Sequence, residues 1–283
     1  VIFVVVVWSS NSVIVKITVL DIPPLWAAFL RFSPTLPFVY LFIRRFGAGV
    51  RVTLWEFLRI SVLGMLMFFQ IFLFNLGAQY TTGGRVTLII FSFPLLVSLI
   101  APVVIKDESF SRLAVIGSLI SIAGLFIALH KNITGGLTTH FKGDLIEIGS
   151  CLLLASNVVY NKYLCITLNK WKVVFWEFVV AAVLFFLGAA LFEPIAFSQI
   201  RPASWMALAY QSIGVSIFCF LSWQYILAKH NSTRVSVLFF IGPLTGMLLG
   251  MLILDEAFDP WLLMGCILVG SGIYLVNKKP SSI

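Results

Sequence analysis

The chain has 283 residues, 60% hydrophobic and only 11% charged, with a formal net charge of +8. Soluble domains carry roughly a quarter charged residues, so a mean hydropathy of +1.06 excludes that class. In a membrane chain, surplus positive charge reports orientation, so the lipid bilayer is an expected partner and nucleic acid is not.

Crossing the hydrocarbon core takes about 20 mostly apolar helical residues. Reading between charged or Pro/Gly breaks gives ten such spans, at 1–18, 23–43, 57–76, 84–105, 112–129, 145–163, 173–191, 205–228, 233–254 and 260–276. The runs are too long and too uniformly apolar for barrel strands, which alternate every second residue. Short connections leave no room for a soluble domain.

Span 1 begins without methionine, which suggests that residues precede Val1, and its Trp8, Asn11 and Lys16 argue against a cleavable signal peptide. Span 2 carries Arg31 in AAFLRF, deeper than an interfacial anchor needs, and a pairing with helix-end carbonyls is expected for it. Span 3 aligns Leu63, Met67, Gln70 and Phe74 on one face. Span 4 opens RVTLIIFSFPLL, with Thr87, Phe91, Pro94 and Ser98 sharing a face. A proline inside a helix costs about 3 kcal/mol and frees the carbonyl four residues back, here Ile90.

Span 6 opens with Gly143-Asp144 and holds Asn157, Tyr160 and Lys162. Span 8 places Ser212, Ser216, Cys219 and Trp223 on one face, and span 9 does the same with Ser236, Phe240, Pro243 and Met247. Span 9 also carries Gly242, Gly246 and Gly250, a spacing that admits a close neighbouring backbone. Glu147 and Glu177 lie one turn into their spans, so no deep carboxylate is expected, which lowers the prospect of a cationic drug as substrate. The four cysteines read as small apolar packers.

The chain repeats itself. RVTLIIFSFPLL returns as RVSVLFFIGPLT 149 residues on, and KDESF is followed by LDEAF. Gly117 and Gly124 then match Gly265 and Gly272, while Ser10-Asn11 with Lys16 matches Ser156-Asn157 with Lys162. Spans 1–5 therefore correspond to spans 6–10, dividing the chain into 1–135 and 136–283. Five is odd, so the second unit must be inverted in the membrane, an arrangement of many secondary transporters. With the N-terminus inside, twelve lysines and arginines fall on the inner side and four on the outer, which predicts that both termini are cytoplasmic.

In this order WSSNSVIVK, AAFLRF, the proline-centred span 4, DES, G-x6-G and the Gly-Asp start of span 6 resemble the drug/metabolite transporter superfamily, specifically its ten-helix EamA-type carriers. The resemblance covers essentially the whole chain. It implies a basket of helices around a central cavity lined by spans 1, 3, 4, 6, 8 and 9, with spans 5 and 10 peripheral. It also points to metabolite carriers, the aromatic amino-acid exporters being the nearest branch. The sugar-phosphate branch holds phosphate with a Lys-Arg pair in its ninth helix, whereas span 9 here offers Arg234 alone.

The expected fold is thus an all-α integral membrane protein of ten transmembrane helices in two inverted five-helix repeats. The expected function is export of a small organic molecule, a neutral or aromatic amino acid first, across the cytoplasmic (inner) membrane by alternating access. Candidate substrate contacts are Trp8, Asn11, Gln70, Phe74, Thr87, Phe91, Asn157, Tyr160, Ser216, Trp223 and Phe240, with Pro94 and Pro243 as hinges and Lys16 and Lys162 as anchors or gates. No cofactor, metal or catalytic set is called for: His130, His140 and His230 lack metal spacing, and no phosphate loop or catalytic triad is evident. Other metabolites or drugs, a homodimer, and a non-transporting membrane enzyme or sensor stay open as alternatives.

Overall fold

The computed structural model describes residues 2–45, 49–105, 112–134, 140–219, 222, 239 and 241–277, and every regular element among them is helical. In order these are α1 (Ile2–Thr18), α2 (Pro24–Phe32), α3 (Thr35–Arg45), α4 (Leu54–Tyr80), α5 (Gly83–Ile90), α6 (Phe93–Val104), α7 (Arg112–Thr134), α8 (Phe141–Cys165) and α9 (Lys170–Phe192). There follow α10 (Pro202–Ala209), continued by a π-helical stretch (Tyr210–Cys219), α11 (Gly242–Leu254) and α12 (Pro260–Asn277). By length and composition, six segments among the described residues can cross a membrane: Pro24–Arg45, Leu54–Tyr80, Gly83–Val104, Arg112–His130, Phe141–Cys165 and Lys170–Phe192.

The burial pattern is that of a protein solvated by lipid. Leu252, Phe192 and Leu191 are 79%, 78% and 74% exposed, while Asp144, Glu147, Glu177, Arg31 and Gln211 are buried. Water would reverse that order. In hydrocarbon the polar groups must find partners inside the protein and the apolar side chains need none.

Span 4 is not one helix bent at its middle. It is two, because the chain turns at Phe91–Ser92 and Pro94 falls in the first turn of α6. Proline is tolerated there, since the N–H it lacks would have no intrahelical partner anyway. Ser92 Oγ donates to the Ile89 carbonyl at 2.5 Å, and the Cys151 thiol points at that of Ile90 at 3.9 Å. Pro243 likewise sits in the first turn of α11. Both prolines start helices, in place of the kinked interiors expected from sequence.

Two helix pairs pack unusually closely, each through small residues. On α11, a Cβ at Gly242 would strike the Phe91 ring, one at Gly246 the Thr87 side chain, and one at Gly250 would lie 3.3 Å from Gly84 N. Residue numbers rise on one helix as they fall on the other, so α5 and α11 are antiparallel. A Cβ at Gly117 would lie 2.7 Å from the Gly272 carbonyl, and one at Gly124 3.1 Å from that of Gly265. Thus α7 and α12 are antiparallel too.

Helix starts are held by carboxylates from elsewhere in the chain. Glu193, just beyond α9, accepts from Leu25 N and Trp26 N at 2.8 and 3.1 Å, and Glu256 accepts from Gly83 N and Gly84 N at 2.5 and 3.1 Å. These N–H groups lack intrahelical partners, and the helix dipole favours negative charge beside them. After α1, Asp21 accepts from Arg201 Nε at 2.8 Å and Ser204 Oγ at 2.5 Å. The Arg201 bond, chiefly, holds the Asp21 carboxyl below the usual carboxylate range.

Two outcomes follow from this packing. Gly117→Leu overpacks the α7–α12 contact and should cost about 1–3 kcal/mol, read as a lowered unfolding midpoint in detergent, whereas a leucine at the exposed Tyr274 of α12 should be near neutral. Because the folded state depresses the Asp21 pKa, its stabilising contribution is present above about pH 4 and lost as pH falls through the folded value. Asp21→Asn should remove that part of the acid sensitivity in a pH series of melting curves.

Candidate functional site

Four polar clusters lie within the helical body. The first joins α1, α4, α5 and α8. Arg85 Nη1 meets Asp144 Oδ2 at 2.6 Å with both side chains buried, and Thr81 Oγ1 donates to Asp144 Oδ1 at 2.6 Å. Arg85 Nη2 also reaches the Ala128 carbonyl at 3.4 Å. Lys16 Nζ donates to the carbonyls of Ala78, at 3.4 Å, and Thr81, capping the end of α4. The Gly143-Asp144 pair has a physical role here: a Cβ at Gly143 would lie 2.7 Å from Thr81 N, so glycine lets α8 abut this turn while Asp144 collects its donors.

The second cluster is Glu147, one turn further along α8. It is completely buried, its carboxyl lies against Gly77 of α4, and neither oxygen has a hydrogen-bond partner among the described residues. In the third, Glu177 on α9 accepts from Asn157 Nδ2 at 2.9 Å and Asn161 Nδ2 at 3.3 Å, and Asn157 Nδ2 also reaches the Leu63 carbonyl. The fourth is Arg31 on α2, whose Nε donates to Ser216 Oγ of the π-helical stretch at 2.9 Å.

These clusters correct three sequence expectations. Buried carboxylates exist, because Asp144, Glu147 and Glu177 are covered by packed neighbours. Arg85, one of the four cations counted on the outer side, is a buried ion-pair partner. Arg31 bonds a side-chain hydroxyl and not helix-end carbonyls. In each case the identity of the facing helix decides the environment, and a single sequence does not contain it.

The expected contact residues divide among several places. Trp8 and Phe91 come together around Phe239, with ring centroids 5.8 and 6.0 Å from it, beside the α5–α6 break. Thr87 lies one turn below, under Gly246. Gln70 is bonded to Ser150 of α8 at 3.2 Å, Phe74 is in a core cluster with Val15 and Val86, and Tyr160 donates to the Arg59 carbonyl. Asn11 is buried with its Oδ1 unpaired, and Lys162 is exposed. Trp223, Phe240, Ser236 and Arg234 lie outside the described residues. The whole Leu63, Met67, Gln70, Phe74 face is buried, as are Ser212, Ser216 and Cys219.

A cleft of about 270 Å³ opens between α5, α6, α7 and α8, walled by Leu95, Leu99, Leu125, Phe126 and Ile148 with Asp144 at one end. It borders spans 4, 5 and 6, and so differs from the cavity among spans 1, 3, 4, 6, 8 and 9 that the resemblance implied.

The model of the EamA-like transporter family matches residues 1–129 and again 141–278. The chain belongs to the EamA-like transporter family. It is therefore a multi-pass membrane transporter and not an enzyme. Relatives of this EamA-like transporter include an "Uncharacterized transporter" of Archaeoglobus fulgidus, 25% identical over 96% of this chain and 94% of that one. Another is a "Probable amino-acid metabolite efflux pump" of Escherichia coli, 21% identical over 96% and 91%. One solved crystal structure superposes with a TM-score of 0.68 at 18% identity, covering 97% of this chain and 94% of the other, a likeness of fold.

Removing one member of a buried ion pair strands the other and costs about 3–5 kcal/mol, whereas replacing both can be far cheaper. Asp144→Leu and Arg85→Met should each lower detergent stability sharply, and the double variant less than the sum of the two. Additive losses in a double-mutant cycle would show that the pair is not coupled.

Proposed function

We propose that this EamA-like transporter is a secondary carrier that exports small organic metabolites, neutral or aromatic amino acids first, from the cytoplasm by alternating access. The observation that carries the reading is the crossed glycine packing. Spans 4 and 9 match in the internal repeat, as do α7 and α12; α5 of span 4 runs antiparallel to α11 of span 9, α7 runs antiparallel to α12, and Gly117 meets Gly272 while Gly124 meets Gly265. A two-fold axis in the membrane plane between inverted repeats gives such cross-pairing. On this reading residues 1–135 and 136–283 are the two repeats of a ten-helix bundle with both termini cytoplasmic, and the membrane is the inner one.

The substrate class draws on two supports: the printed name of the E. coli relative, and the aromatic group of Trp8, Phe91 and Phe239 at the break in span 4. The α5–α6 break separates two rigid half-helices, so rocking of one repeat against the other can be absorbed at Phe91–Ser92 and its counterpart before Pro243. Trp8, Asn11, Thr87, Phe91 and Ser216 remain the substrate contacts of choice. The bonds of Gln70, Asn157 and Tyr160 give those residues an interhelical role beside any contact with substrate.

Counterflow of labelled amino acids into proteoliposomes tests the reading. Exchange of phenylalanine, tyrosine or leucine is expected, and no exchange with any of the twenty would overturn it, leaving another metabolite as the cargo. In the same assay Pro94→Ala with Pro243→Ala should keep the fold and slow flux. Wild-type rates in the double variant would remove the hinge role.

A further inference from the structure

Arg31 is the eighth residue of α2 and is 7% exposed. Its guanidinium offers five N–H donors and stays charged at any physiological pH. One donor is used, Nε to Ser216 Oγ at 2.9 Å, and the group lies 4.9 Å from the Phe32 ring centroid. Nη1 is buried without a hydrogen-bond partner, and among the described residues no carboxylate pairs with the cation. The acids on the elements packed against α2 are committed elsewhere: Glu193 to Leu25 N and Trp26 N, Glu177 to Asn157 and Asn161. A buried, unpaired cation in a membrane span is expensive, and its persistence is the usual mark of a functional site.

We propose that Arg31 receives a carboxylate of the transported molecule, with Ser216 orienting the guanidinium. This rests on the carrier reading above and names the chemistry its substrate must show. Ser216 sits in the π-helical stretch, and π turns within helices recur at functional sites. A second orphan borders the same stretch. Asn11 Oδ1, an acceptor, is buried without a donor on α1, whose Ser10 Oγ lies 2.6 Å from Tyr210 Oη. An unfilled donor on α2 and an unfilled acceptor on α1 are complementary in kind to the carboxylate and the ammonium of an α-amino acid.

The test compares wild type with Arg31→Gln, Arg31→Lys and Ser216→Ala in proteoliposomes. The probes are labelled phenylalanine and phenylethylamine, which lacks only the carboxylate. Wild type should prefer phenylalanine at least tenfold. Arg31→Gln should raise KM for phenylalanine tenfold or more and abolish the preference, Arg31→Lys should recover part of it, and Ser216→Ala, which leaves the cation in place, should raise KM a few-fold. A KM within twofold of wild type in Arg31→Gln, with flux intact, would overturn the assignment while leaving the carrier reading standing. Should Arg31→Gln not fold, an unchanged phenylalanine preference in both Arg31→Lys and Ser216→Ala would overturn it equally. If wild type exchanges no amino acid, its melting point is measured with phenylpyruvate and with the matching amide. Stabilisation by the carboxylate alone, reduced in Arg31→Lys and lost in Arg31→Gln, retains Arg31 as a carboxylate site while the amino-acid reading falls. No stabilisation by phenylpyruvate overturns both.

Discussion

In hydrocarbon a polar group has no water to fall back on, and the arrangement of this chain follows from that constraint. Several charges turn inward, where they knit helices from distant parts of the sequence: Arg85 with Asp144, Lys16 with the end of α4, Glu256 with the start of α5, Glu193 with the start of α2. Apolar packing alone gives little direction to helices already solvated by lipid tails as apolar as themselves. Hydrogen bonds and close glycine contacts supply the missing specificity. The polar links fix which helix ends meet, and the glycine faces fix how closely the bodies approach.

Much of this was legible beforehand. The apolar runs gave the helices, and the spacing of Leu63, Met67, Gln70 and Phe74 marked a face that is buried along its whole length. Repeated glycines at 117, 124, 265 and 272 pointed to close packing, and they pack on one another. These signals are local, or are periodicities the chain carries within a single helix.

The illegible part depended on partners. Glu147 and Glu177 look interfacial when counted from the ends of their runs, because depth along one helix says nothing about the neighbour that covers it. Gly77 and Asn157 are those neighbours. The ion pair of Arg85 is hidden for the same reason, its acid lying 59 residues away. The two prolines were read as kinks because the apolar run continues across them, whereas Ser92 and its bond to the Ile89 carbonyl end one helix before the next begins.

Arg31 and Glu177 are each the eighth residue of their helix, and the same 146-residue offset that aligns Asn11 with Asn157 aligns them. One is basic, the other acidic. The acid is quenched from within by two asparagines while the base keeps a vacant donor. The two matching positions are thereby polarised: one charge is sealed by its own neighbours and the other keeps an unfilled donor. A copy of either half in the other's place would carry the wrong charge at this position, so neither half can stand in for the other.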